Sequence, residues 1–247
     1  MTVQVRRDNE IYATDGGWFQ ARWHFSFDHY RDPRHMGVGA LRVFNDDRLQ
    51  PGAVWPMHPH RDIESCTYVV EGLFAHEDSL GNDGLLEAGA AQVMRFSSRG
   101  ALHSERNGSR TEPMRFIQFW ILPSVPALES SVQQRQYTVE DRTGRLLQIM
   151  GPVGEDGLDL AQDARVFVAR LPQGNRVRHD LGGGRGGYLY VLDGELETAG
   201  DKLGTGDAAK LAGPEAVELV GVGNAELILI DVPLEFRAVG VWAGGLG

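Results

Sequence analysis

The stretch "WPMHPHRDIESCTYVVEG", residues 55–72, sets His58 and His60 one residue apart, then runs through β-branched and aromatic residues to an acid-glycine pair. Successive side chains of an extended strand point to opposite faces, so residues two apart share a side. His58 and His60 therefore project together. Further along, "GALHSERN" (100–107) repeats the parity with His103 and Glu105. Two such pairs on neighbouring strands would bring three imidazoles and a carboxylate to one point, a donor set suited to a divalent first-row metal ion. Four protein ligands leave an octahedral ion two open positions, as a site that takes substrate or oxygen requires.

A single H-x-H is a weak signal, because a lone histidine usually sits on the surface or in a hydrogen bond. The second same-face pair, also beside a strand and a glycine, makes metal the better reading. The other histidines keep ordinary roles. His24, in "RWHFSF", is expected to face away from the packed side of its aromatic neighbours. His29 and His35 fall in a polar loop, His76 precedes the acidic turn "EDSLGN", and His179 has no second histidine near it.

Outward from these motifs, short runs rich in Val, Ile, Tyr and Phe recur at 40–44, 66–70, 114–122, 164–171, 187–192 and 225–232, with turn signals between them. Many short strands at this spacing predict an all-β sandwich or barrel with little helix, and the 32 glycines suit a turn-rich chain. The best helix candidate is the Pro-led "PALESSVQQRQY" (126–137), which separates two strand-rich halves. "TYVVEG" (67–72) and "LYVLDG" (189–194) are matching phrases, each followed by a second glycine turn, which suggests a duplicated β-domain. The expected organisation is an N-terminal metal-bearing barrel over 1–124, a linker with a short helix over 125–145, and a C-terminal barrel over 146–247. In the second half the position matching His103 is Val220, so a metal site there is not expected; its work is to close one wall of the pocket.

Composition narrows the function. The formal net charge of −10 and pI near 5.3 argue against nucleic acid as a direct partner. Lysine occurs only at 202 and 210, which leaves little room for lysine chemistry. Cys66 is the sole cysteine, so no intramolecular disulfide forms and a reducing compartment is expected. No apolar run approaches the ~18 residues of a membrane span, and a cytoplasmic protein with no membrane partner is expected. "GGGRGG" (182–187) lacks the Gly-Lys-Ser/Thr ending of a phosphate loop, and no G-x-S-x-G elbow is present.

"HPHRDIESCTYVVEG", "HEDSLGN", "GALHSE" and, upstream, "FSFDHYRDPRHMGVGALRVFNDD" resemble the pirin family of bicupins, whose bacterial members include quercetinase-like proteins. The resemblance extends through "QFWILP" (118–123) and more loosely through the second half. It implies two cupin barrels (double-stranded β-helix, or jelly-roll) facing each other, with one divalent metal in the first. By the family pattern the ligands are His58, His60, His103 and Glu105, with Glu64 as an outer or structural acid. Iron(II) is expected first; nickel, cobalt, manganese, copper or zinc would suit the same donors.

Two functions follow from the resemblance. The first is a quercetin 2,3-dioxygenase-type enzyme, opening a flavonol or other polyphenol with dioxygen, with Glu105 as the base that takes the 3-hydroxyl proton. The second is a non-catalytic, metal-binding regulator that docks on a partner protein. Trp55, Met57, Phe74, Phe96 and Phe116 are candidates to line a pocket for flat rings, and Cys66 could join them if it faces the barrel. A monomer is expected, since two facing barrels bury much of their own surface. A sugar-isomerase cupin is disfavoured by the lack of lysines near the motifs.

Overall fold

The structure is a computed structural model that describes residues 2–213 and 216–244. The runs Leu41–Leu49, Ile63–Glu71 and Met114–Ile121 are buried at almost every position, the mark of strands covered on both faces. They form the middle of a seven-stranded antiparallel sheet in the order Ser131–Gln136, Ala90–Phe96, Ile63–Glu71, Met114–Ile121, Leu41–Leu49, Phe19–Trp23, Tyr12–Asp15. A four-stranded sheet, Val54–His60, Ala101–Asn107, Leu73–Asp78 and Asp83–Glu87, completes the first barrel.

The second half repeats this plan. Its central strands Ala208–Ala212, Arg185–Asp193, Ala225–Pro233 and Arg165–Leu171 stand in the same relative order as 90–96, 63–71, 114–121 and 41–49. Arg176–Asp180, Ala216–Gly221, Glu195–Thr198 and Asp201–Gly204 make its four-stranded sheet. The acid-glycine phrases mark equivalent corners. Gly72 and Gly194 have φ of +81° and +79°, and a Cβ on either would strike main chain, at Pro113 and Asn224 respectively.

The two large sheets pack against each other. One continuous apolar core holds Phe44, Cys66, Tyr68, Phe119 and Ile121 from the first half with Val166, Tyr188, Tyr190, Ile228 and Ile230 from the second. Strand parity then divides the work: Phe44 and Asp46 face the other half, while Val43, Asn45 and Asp47 face the first barrel's own interior. Cys66 belongs to the inter-half core, so it does not line the site.

Sheet membership crosses the halves in sequence. Thr2–Arg6 pairs with Ala208–Ala212, at the edge of the second half's sheet. Ser131–Gln136 pairs with Ala90–Phe96 and closes the edge of the first. The helix expected over 126–137 is therefore absent; 126–130 is irregular, Ser131–Gln136 is a strand, and the α-helical turn follows at Val139–Arg142, capped by Thr138. An open edge with unpaired main-chain groups outweighs the weak local propensity of "SVQQRQ".

Candidate metal centre

Val54–His60 and Ala101–Asn107 pair antiparallel, with His103 opposite His58 and Ala101 opposite His60. The pairing brings the three imidazoles together. Their ring centroids are 4.5–4.7 Å apart, and one nitrogen from each lies within 4.8 Å of the others. His58 Nδ1 donates to the Pro56 carbonyl oxygen at 2.8 Å, which leaves Nε2 of the neutral ring with its lone pair free. That Nε2 faces His103 Nε2 at 3.0 Å. His60 Nε2 is buried without a protein partner and its ring is packed against Phe96 and Trp120.

Burial sets the protonation state. It pushes His60 down to about 3 and His103 down to about 2, each helped by neighbouring imidazoles, and it lowers His58 as well. All three are neutral at pH 7, the form that ligates metal. A buried orphan nitrogen, two ring nitrogens nose to nose and no competing protonation fit a divalent cation at this point.

Glu105 stands next to this cluster. The pairing slips between His103 and Glu105, so that Glu105 lies opposite Trp55 and a bulge sits between the two. Its carboxylate is 3.9 Å from His103 Nδ1 and accepts a hydrogen bond from Gln118 Nε2. Burial pushes it up to about 7, against the pull of the Gln118 amide. Three of the four expected ligands converge, and the fourth is held one step aside by Gln118.

Glu64 points elsewhere. Its carboxylate takes Arg95 at 2.8 Å and the Ala161 main-chain N–H at 2.9 Å, which ties the first barrel to the second. His179 is bonded to Asp231 at 2.7 Å and lies beside Phe167. It stands opposite Val217, and the second barrel's interior is filled by Leu189, Leu196, Leu203, Leu219 and Leu227. His24 is fully buried, with Nδ1 2.7 Å from Tyr188 Oη, at the seam of the halves rather than on an outer face.

His58 and His60 open onto a cavity of about 560 Å³, with His103 buried behind them. Trp23, Phe27, Trp55, Phe116 and Trp120 form aromatic walls, and Asn45, Asp47, Glu105 and Gln118 supply polar groups. Of the aromatics expected there, Trp55 and Phe116 line it and Phe96 backs two of the imidazoles. Phe74 packs behind Phe116, their ring centroids 5.1 Å apart, and Met57 is exposed. Among the described residues, no strand of the second barrel walls the cavity. Trp242 does, held by Asp62, whose main-chain carbonyl accepts from Trp242 Nε1 at 3.0 Å and whose carboxylate accepts from Val241 N–H at 3.1 Å. Asn45, Asp47 and Gln118 were not singled out from sequence; the i, i+2 alternation of "VFNDD" would have placed the first two on the barrel side.

Two barrels of this topology, one carrying a histidine cluster and the other filled, define a bicupin with one candidate metal centre among the described residues. The chain belongs to the pirin family. The pirin family model matches residues 4–121, and a quercetinase C-terminal cupin domain model matches 148–232. A pirin-like protein of Caulobacter vibrioides is 37% identical over 90% of this chain and 96% of its own length. Quercetin 2,3-dioxygenase of Escherichia coli K12 is 34% identical over 94% of this chain and 99% of its own. The crystal structure of the bacterial pirin YhhW of E. coli in complex with nickel(II) superposes with a TM-score of 0.88 and 32% identity, covering 94% of this chain and 99% of that one.

Proposed function

We propose that this protein is a metal-dependent dioxygenase of the quercetin 2,3-dioxygenase type, acting on a flavonol or related polyphenol. The observation that carries the reading is the set of three neutral imidazole donors within 4.8 Å at the wall of an aromatic-lined cavity. His58, His60 and His103 would hold the ion, with Glu105 as the fourth ligand. A bound divalent ion supplies Lewis acidity toward adjacent substrate oxygens and access to dioxygen. Iron(II) is the first choice, and the nickel complex of a relative supports a first-row ion in general.

The chain's own residues do the rest. Glu105 would take a proton from a substrate hydroxyl once its carboxylate loosens from the ion, and Gln118 orients that carboxylate by donating to Oε1. Trp23, Trp55, Phe116 and Trp120 give a flat ring system apolar contact and keep water from it. A cytoplasmic, monomeric enzyme belongs to the same reading; Cys66 is free and buried, and no helix among the described residues is long and apolar enough to cross a membrane.

The test is flavonol decay. Metal-loaded protein under air should bleach the flavonol band and consume oxygen; anaerobic samples, metal-stripped samples and His103→Ala should not. If protein loaded in turn with several ions leaves the flavonol untouched, the enzyme reading falls and a regulatory, protein-binding role replaces it.

A further inference from the structure

On the strand Leu41–Leu49, neighbouring carboxylates at 46 and 47 live opposite lives. Asp46 faces the other half and is fully engaged: Arg115 reaches it at 2.6 and 2.9 Å, and Tyr190 Oη donates at 2.6 Å. Asp47 faces the cavity and, among the described residues, no protein group bonds its side chain. It is only 5% exposed, and its Oδ1 is buried without a partner. Asn45, on the same face and 2% exposed, repeats the pattern, again with a buried, unpartnered Oδ1. Across the ladder Asp47 stands opposite Phe116, and Asn45 opposite Gln118, which holds Glu105. Two orphan acceptors thus lie side by side on the cavity wall, next to the candidate metal centre.

We infer that Asp47 and Asn45 are specificity-determining residues, and that the ligand they select is a polyhydroxylated aromatic whose ring hydroxyls bond these two side chains. A buried acceptor left unpaired is costly, and native structures contain few. A hydroxyl satisfies such a group, and an apolar ring edge does not. The aromatic walls suit the body of the ligand, while Arg31 and Arg42 on the same cavity oppose an ammonium as the donor. A site built to bond a substrate hydroxyl discriminates strongly against the analogue that lacks it, because its polar groups are then stranded.

This inference rests on the flavonoid reading of the site, and the test keeps the two apart. Binding of quercetin and of 3-hydroxyflavone, which shares the oxygen pair adjacent to the ring carbonyl but lacks the other hydroxyls, is measured by calorimetry. Nickel(II)-loaded protein is used under nitrogen, so no turnover is needed. Wild type should prefer quercetin by at least about tenfold. Asp47→Leu and, independently, Asn45→Leu should each lower that preference severalfold while 3-hydroxyflavone binds as well as before. If one variant fails to fold, the other decides. Equal affinities in wild type, or an unchanged ratio in a folded variant, overturn the inference. Loss of both ligands in wild type is a different result: it removes the flavonoid reading itself, and this inference with it.

Discussion

At the residue scale, the cluster depends on three imidazoles that burial keeps neutral. Replacing His58, His60 or His103 with Ala should cut metal content several-fold or more in protein purified without a histidine tag. His179→Ala should leave metal content unchanged, because that ring is engaged with Asp231 far from the cluster. Elemental analysis reads both, and full occupancy in His60→Ala would refute the assignment. Glu105→Gln should weaken metal retention by about tenfold, the scale expected when one ligand becomes neutral or its support is lost. These positions were legible because strand parity is a two-residue rule, so H-x-H and H-x-E announce a shared face without any knowledge of the fold. Glu105's detour to Gln118 was not legible, since it depends on a bulge and on a residue from another strand.

At the scale of elements, Glu64 joins the strand Ile63–Glu71 to Arg95 on its neighbour and to the main chain at Ala161 of the other half. Glu64→Gln should cost about 1–3 kcal/mol by urea unfolding, the range for weakening a buried, charge-assisted bond, and leave metal content intact. Loss of metal without loss of stability would instead place Glu64 at the metal. The segment 131–136 carries the lesson about elements. Its local composition permitted a helix, but the exposed edge beside Ala90–Phe96 offered six residues of main-chain pairing. Edge strands are decided by what lies next to them, and that neighbour is some forty residues away in sequence.

For the whole molecule, the seam between the large sheets holds two buried polar devices. Arg115 is forked onto Asp46 and also donates to the Leu192 carbonyl at 2.9 Å. Arg115→Leu would strand Asp46 and should destabilise the protein by about 3–5 kcal/mol, read by denaturant unfolding. His24 is the second device, and burial pushes it down to about 3. Above the unfolded-state value of about 6.5 the ring is neutral in both states and contributes no pH dependence. As pH falls from 6.5 toward 3, the unfolded chain binds a proton that the folded one refuses, so stability falls with pH across that window. His24→Asn, which keeps a polar atom near Tyr188, should lower stability overall yet reduce the acid-side slope by up to one proton, about 1.4 kcal/mol per pH unit. An unchanged slope would show that His24 is protonated in the fold.

Local rules in the sequence determined the strand-rich halves, their duplication through the paired acid-glycine corners, and the faces on which His58, His60, His103 and Glu105 lie. Each follows from backbone geometry within a few residues. Tertiary structure alone decided the pairing of Thr2–Arg6 with the second half's sheet and of Ser131–Gln136 with the first, the burial of His24 and Cys66 at the seam, and the use of Trp242 rather than a strand of the second barrel as a cavity wall. It also decided that Asp46 is satisfied while Asp47 is left facing the cavity. The physical reason is the same in each case: whether a polar group finds a partner, and whether an apolar one finds a core, is set by residues distant in sequence. Pattern names the face a side chain takes, and packing supplies what it meets there.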